Sequence, residues 1–119
     1  MRAGVISVPD DASVRQVQRA LADHRVHAVL VVGASNGHVV GWATTRGVVE
    51  RMDPDASLMP AALTVTEPVE IISPTATAEE ALRRLVETGA ARLLVCRGAG
   101  WQPEGVVSEL DLIRLTTPC

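Results

Sequence analysis

Apolar residues recur along this chain in the same order twice. Each copy starts with a short apolar segment, at residues 5–8 and 69–72, and continues with apolar residues at the spacing of a helix. A nearly continuous apolar run follows, at residues 26–32 and 90–96, which is typical of a strand covered on both faces. The pattern predicts strand, helix and strand at the start of each copy.

The rest of each copy contains a turn, a second strand and a short second helix. We place the turns at 33–37 and 98–100, the second strands at 38–43 and 105–107, and the second helices at 46–52 and 109–115. Each copy therefore has the order strand, helix, strand, strand, helix. This order predicts a mixed α/β (α+β) fold built from two tandem repeats.

The first helix of each copy carries a capping signal and an apolar stripe. Ser13 and Thr77 are predicted N-caps, because their hydroxyls can accept hydrogen bonds from the first helical amides. Glu80, three residues after Thr77, fits a capping box. The residues expected to face the core are Val14, Val17, Ala20 and Leu21 in the first copy and Ala78, Ala81, Leu82, Leu85 and Val86 in the second.

The two copies are also similar residue by residue. Residues 5–49 align without a gap on residues 69–113, a constant shift of 64 positions. The identical pairs are Val5/Val69, Ala12/Ala76, Arg19/Arg83, Leu21/Leu85, Leu30/Leu94, Val31/Val95 and Gly41/Gly105. We predict one repeat at 1–52, a linker at 53–66 that contributes a short helix or an edge strand, and a second repeat at 67–119.

Composition narrows the classes of function. The 119 residues suffice for one compact unit, and with two Trp, no Phe and no Tyr the core must consist of Val, Leu, Ile and Ala. A formal net charge of −3 and the scarcity of aromatic side chains argue against a nucleic-acid partner. No apolar run reaches the ~18 residues of a membrane-spanning helix, and no signal-peptide pattern is present. We expect a cytoplasmic protein, without a membrane partner, in which Cys96 and Cys119 are reduced thiols.

The sequence gives no support for catalysis or for a metal site. No nucleophile is paired in sequence with a base and an orienting group. The three histidines, His24, His27 and His38, lack the spacing and the carboxylate or thiolate neighbours of a zinc site. We therefore expect a protein that is not an enzyme. Trp42 and Trp101 are most simply packing residues.

The run 105–112, GVVSELDL, is the most specific pattern in the chain. It contains a Gly, two apolar strand residues, a Ser, two spacers and an Asp at the start of a helix. Placed after an apolar strand and inside an internal repeat, the run resembles the signature of a CBS-domain pair, also called a Bateman module. The resemblance covers residues 5–115 and implies two CBS repeats packed with pseudo-two-fold symmetry, in a regulatory, energy-sensing protein.

CBS-domain pairs generally bind AMP, ADP, ATP or S-adenosylmethionine in clefts between the two repeats. The resemblance implies such a regulatory ligand and no required cofactor. Asp111 can accept hydrogen bonds from ribose hydroxyls, Ser108 can cap the helix or reach ribose or phosphate, and Arg92 resembles the basic residue that meets phosphate in many members. We also expect the first backbone amides of the helix at 109–115 to attract an anion. The alternative is that Ser108 and Asp111 only stabilise the helix and that Arg92 is a solvated charge.

By the same resemblance, the adenine slot is lined from the first copy, by Ile6, Val26, His27 and Ala28. No Phe or Tyr is available to stack on the base. Affinity would therefore depend on backbone hydrogen bonds and dispersion. For His27, a partly buried histidine without a ligand role is the simpler interpretation.

The first copy departs from the signature at two positions. Thr44 keeps the hydroxyl, but Gly47 stands where Asp is expected and Ala28 stands where the second copy has Arg92. Arg46 could supply a charge from another direction, and Trp42 could fill part of the cavity. We therefore expect one competent site per chain.

The resemblance also implies partners. A ligand would bias two conformations that a separate or fused effector protein distinguishes. Flat homodimers are common in this family, and the candidate contacts are Val48, Val49, Leu112 and Ile113. The competing hypothesis is a structural dimerisation module that binds no nucleotide.

Overall fold

A computed structural model describes residues 2–3, 5–52, 58–98 and 102–117. The elements in chain order are β1 (Arg2–Ala3), β2 (Ser7–Pro9), α1 (Val14–His24), β3 (Ala28–Val32), β4 (Val39–Thr44), α2 (Thr45–Glu50), a 3-10 helix (Ala61–Thr64), β5 (Val65–Glu67), β6 (Ile71–Ile72), α3 (Ala78–Thr88), β7 (Arg92–Arg97), β8 (Gln102–Ser108) and α4 (Glu109–Thr116). The predicted order of elements is thus confirmed in both copies. Part of the predicted linker (53–57), part of the second turn (99–100), Trp101 and Cys119 lie outside the described residues.

The elements form two compact units, Ile6–Val69 and Met1–Val5 with Glu70–Cys119. The sheet of the first has the order β2-β3-β4-β5, in which β2 is parallel to β3 and the other pairs are antiparallel. The sheet of the second has the order β6-β7-β8-β1 with the same pattern of directions. A parallel pair needs a crossover connection, and the first helix of each copy supplies it.

The fourth strand of each sheet precedes the opposite copy in sequence. β5 lies just before the second copy but closes the first sheet, with Val65 opposite Ala43. β1 lies before residues 5–49, the aligned segment of the first copy, but closes the second sheet, with Arg2 opposite Val106. The linker was expected to contribute a short helix or an edge strand, and the structure contains both, the 3-10 helix and β5, which ends one residue beyond the predicted linker. β1 was not predicted, because two residues are too few for a periodic signal.

The predicted N-caps are confirmed, with one difference. Thr77 Oγ1 accepts the Glu80 N–H at 3.1 Å, but the reciprocal bond of the expected box is not among the bonds of this cap. The complete box forms at Ser13 instead, where Ser13 Oγ accepts the Gln16 N–H and the Gln16 side chain accepts the Ser13 N–H. Glutamine at this position serves as well as glutamate. Among the described residues, no helix has both the length and the apolar character needed to cross a lipid bilayer.

Both apolar strands are buried on both faces, as predicted. Val29, Leu30 and Val31 in β3, and Leu93 and Leu94 in β7, are at most 1% exposed. Each strand packs under the helix of its own copy: Val17 and Leu21 of α1 belong to the first core cluster, and Ala81 and Leu85 of α3 belong to the second. The aliphatic core expected from composition is therefore present in each unit.

Three predicted positions differ from expectation. Val86 was expected in the core but is 83% exposed. The buried face of α3 contains Ala81 and Leu85, four residues apart, and the side chain of Val86 lies outside that face. Val48 and Leu112, proposed as dimer contacts, are core residues instead. Their neighbours Val49 and Ile113 are exposed.

Adjacent residues of α3 provide a direct test of this core assignment. Leu85→Ala should lower the free energy of unfolding by about 2–5 kcal/mol, because it removes buried methyl groups and leaves a cavity. Val86→Ala should change it by less than about 0.5 kcal/mol, because that side chain is already in water. Chemical denaturation of both variants measures the difference. Equal losses would contradict the observed orientation of α3.

Candidate functional site

The second copy places Ser108 and Asp111 at a junction between a strand and a helix. Ser108 is the last residue of β8 and the N-cap of α4. Its Oγ accepts the Asp111 N–H at 3.2 Å, and Asp111 Oδ2 accepts the Ser108 N–H at 3.0 Å. The two residues therefore form a complete capping box. This contact fixes the Asp111 carboxylate at the start of α4.

The capping box also controls the charge of Asp111. The hydrogen bond from the Ser108 amide lowers the pKa of the Asp111 carboxyl, partial burial opposes this, and the Ser108 hydroxyl and the Arg114 charge again lower the pKa. The carboxylate is consequently ionised at neutral pH. Asp111 Oδ2 accepts one hydrogen bond within the cap. An ionised carboxylate can accept further hydrogen bonds on both of its oxygens.

Arg92 lies beside this junction in the sheet. It is the first residue of β7 and pairs directly with Ser108 across the antiparallel ladder. Directly opposed residues have Cβ atoms roughly 5 Å apart. Arg92 is half-buried and makes interactions of its own. The structure thus places Arg92 opposite Ser108 of the predicted 105–112 signature, and Ser108 in turn holds Asp111.

The first amides of α4 are less available to an anion than expected. The Ser108 and Asp111 amides are used within the capping box. The Glu109 amide donates to the Ala91 carbonyl at 3.2 Å. The positive end of the helix therefore acts first on the Asp111 carboxylate, and Arg92 is the stronger candidate for a phosphate contact.

The four residues predicted to line an adenine slot lie in the unit Ile6–Val69. Ile6 and Val26 are half-buried and pack against its core, and the Ile6 carbonyl accepts the Leu30 N–H at 3.0 Å. Ala28 is half-buried at the start of β3. His27 is exposed rather than partly buried, because β3 begins only at Ala28. Its carbonyl accepts the Thr45 N–H at 3.0 Å.

The junction of the first copy has the same backbone pattern but different chemistry. Thr44 is the last residue of β4, pairs with Ala28, and caps α2 by accepting the Gly47 N–H at 3.1 Å. A Cβ on Gly47 would lie 2.0 Å from the carbonyl oxygen of Thr64. No side chain fits there, so the absence of Asp in this copy has a steric cause that the sequence did not reveal.

The structure shows where Trp42 and Arg46, the two further candidates of the first copy, lie. Trp42 is 1% exposed and belongs to the interior. Arg46 is exposed and forms a surface ion pair with Glu50 at 3.2 Å. Packing accounts for the position of Trp42, and the surface ion pair accounts for the position of Arg46.

Two further observations concern metal-ligating groups and the cysteine thiol among the described residues. Within the described ranges, no group of three or more His, Cys, Asp or Glu residues could hold a metal ion. Cys96 is a free, buried cysteine, and burial raises the pKa of its thiol. It is therefore protonated and poorly nucleophilic at neutral pH.

Comparison with known proteins agrees with this architecture. The CBS domain family model matches residues 1–54 and 61–117. A CBS-domain containing protein from Agrobacterium tumefaciens gives a TM-score of 0.75 at 20% identity, over 94% of this chain and 84% of that chain. Comparison with curated protein sequences gave no match.

Two further solved structures were obtained with bound ligands. The CBS domain of the bacterial CNNM/CorC family Mg2+ transporter in complex with ATP gives a TM-score of 0.78 at 19% identity, over 92% of this chain and 77% of that chain. Hypoxic Response Protein I with two coordinated zinc ions gives 0.73 at 22% identity, over 99% and 95% of the two chains. These identities establish a shared fold. Together with the family match over both copies, they show that the chain belongs to the CBS-domain family.

Proposed function

We propose that this chain is a regulatory module whose second copy binds an adenosine-containing ligand, AMP, ADP, ATP or S-adenosylmethionine. The observation that carries the proposal is the capping box, which holds an ionised Asp111 on Ser108, the residue that Arg92 faces across the ladder. A carboxylate acceptor and a guanidinium donor are the groups that a ribose and a phosphate require. The fold shared with an ATP-bound CBS domain supports the ligand class.

Each polar residue has a distinct role in this proposal. Asp111 accepts hydrogen bonds from ribose hydroxyls with the capacity that the cap leaves. Ser108 acts as a positioning residue, because its amide and hydroxyl are committed to Asp111. Arg92 contacts phosphate. The sequence left open whether Ser108 caps the helix or takes part in ligand binding. In this proposal it does both, because its capping role orients the ligand-binding carboxylate.

The adenine contacts remain a prediction from family resemblance. The half-buried Ile6, Val26 and Ala28 offer apolar surface for a purine, and the exposed His27 is the polar candidate. The Ile6 and His27 carbonyls already accept backbone hydrogen bonds. A carbonyl has a second lone pair, so each can still accept a bond from an adenine amino group.

Regulation follows from differential affinity. A ligand shifts a conformational equilibrium only to the extent that it binds one state more tightly than the other. We propose that an effector, fused to the module or separate from it, reads this change in the cytoplasm. Nothing in this role requires a chemical step, and we propose that the protein is not an enzyme.

Asp111 is the first residue to test. Asp111→Asn keeps the size of the side chain and removes its charge, so the Kd for ATP should rise about 10–100-fold, the loss expected for a charge-assisted hydrogen bond. Isothermal titration calorimetry measures the change, with unliganded Tm values to separate binding from folding. Glu109→Gln, an exposed change in the same helical turn, is the matched control. Unchanged affinity in Asp111→Asn would refute the ribose assignment.

Arg92 can be separated from the ribose contact by choice of ligand. Arg92→Ala should weaken ATP about 10-fold or more and leave adenosine binding nearly unchanged, because adenosine has no phosphate. Arg97→Ala on the same strand, where the guanidinium pairs with Glu104 at the surface, is the control. Equal losses for ATP and adenosine would remove Arg92 from the phosphate role.

A structural dimerisation module is the second candidate function. The exposed apolar residues Val49 and Ile113 at the second helices favour association with a second copy. The closed junction of the first copy is also consistent with a protein in which ligand binding has been lost. The two functions are compatible, since a sensing module can also be a dimer.

The dimer hypothesis predicts that charge at these positions produces a monomer. Val49→Glu and Ile113→Glu should each shift the mass measured by light scattering towards that of one chain, because a buried unpaired carboxylate destabilises an interface. Val40→Glu, at an exposed apolar position outside the second helices, should leave the mass unchanged. A wild-type protein that is monomeric at micromolar concentration would contradict the hypothesis.

A further inference from the structure

Residues 60–67, which we call the strap, lie against the first copy at the position that corresponds to Asp111. The strap comprises Pro60, the 3-10 helix and β5. Its first residues contact the N-terminus of α1. The Ala61 N–H donates to the Ala12 carbonyl at 2.7 Å, and Pro60 forms an isolated β-bridge with Ser13. Its end pairs with β4. The strap is therefore held at both ends within one unit.

Two glycines of the first copy allow this close approach. A Cβ on Gly47 would lie 2.0 Å from the Thr64 carbonyl oxygen, and a Cβ on Gly41 would lie 2.4 Å from a Val65 methyl group and 3.0 Å from the Glu67 carbonyl oxygen. Real Cβ contacts are essentially never shorter than 3.0 Å. The strap backbone therefore occupies the space that a side chain at position 47 would need.

The strap also engages the hydroxyl that corresponds to Ser108. Thr44 Oγ1 and Thr66 Oγ1 share a hydrogen bond of 2.6 Å, in addition to the bond that Thr44 Oγ1 accepts from the Gly47 amide. Thr44 is 4% exposed and Thr64 is 0% exposed. The Thr64 hydroxyl is satisfied by the Ala61 carbonyl at 2.6 Å. The hydroxyl of Thr44 and the space beside Gly47 are thus both taken up by contacts with residues 64–66.

We propose that the strap is a built-in occupant of the first copy, in the space where the second copy has its ribose-binding carboxylate. It closes that position permanently and restricts nucleotide binding to the second copy, with one nucleotide per chain. The restriction on binding rests on the proposed function, whereas the closure rests only on the contacts of the strap. The module is therefore an asymmetric sensor in which one repeat responds to ligand and the other is closed by its own chain.

The sign of one substitution tests the closure without any ligand. An alanine in place of a helical glycine ordinarily stabilises a protein, because glycine loses more backbone entropy on folding. Gly47→Ala should instead lower Tm by several degrees, because the new methyl group meets the Thr64 carbonyl. Arg46→Ala, at the preceding exposed position of α2, should shift Tm much less. A rise in Tm for Gly47→Ala would overturn the proposal.

A double-mutant cycle covers the case in which Gly47→Ala does not fold. Thr44→Ala, Thr66→Ala and the double variant are compared by their Tm values. A seated strap predicts that the double variant loses clearly less than the sum of the single losses, because both substitutions remove the same hydrogen bond. Strictly additive losses would overturn the closure.

ATP titration tests the restriction on binding. Wild type should bind one ATP per chain, and Asp111→Ala should bind none at concentrations that saturate wild type. Two ATP per chain in wild type, or one remaining in Asp111→Ala, would overturn the proposal. If wild type binds no ATP while Gly47→Ala still lowers Tm, the proposed nucleotide function is refuted and the closure of the first copy is supported.

Discussion

The junction between the last strand and the last helix of each copy determines where the candidate ligand-binding residues of this protein lie. In both copies a hydroxyl residue ends the strand and caps the helix, through Thr44 in one and Ser108 in the other. The hydroxyl at the end of the strand accepts a hydrogen bond from the amide three positions later in the helix. That later residue therefore has a fixed place relative to the sheet. That residue is Asp111 in the second copy and Gly47 in the first.

The two junctions show how one backbone arrangement accommodates opposite environments. Asp111 is stabilised in its charged form by the amide it accepts from, and it stays partly accessible. The Cβ of any side chain at position 47 would overlap the Thr64 carbonyl oxygen. Glycine is the residue that permits the strap to pack there. The loss of the signature Asp and the seating of the strap are therefore two aspects of the same contact.

The exchange of edge strands affects both units. β1 and β5 lie outside the apolar repeat, and each covers one edge of the sheet formed by the opposite copy. Covering an edge strand satisfies backbone groups that would otherwise be available for pairing with another chain. The unit Ile6–Val69 consequently includes residues 65–69, which belong by sequence to the approach to the second copy.

The sequence by itself determined the repeat, the order of elements, the caps at Ser13 and Thr77 and the aliphatic core, because these depend on periodicity and on contacts within a few residues. It also placed Arg92 and Ser108 at the ends of neighbouring strands, where the ladder pairs them. Only the tertiary structure decided the exposure of Val86, the partners of β1 and β5, and the contact of Thr64 with Gly47. Each of these depends on which distant segment packs against a residue, and local patterns of polarity carry no information about that choice.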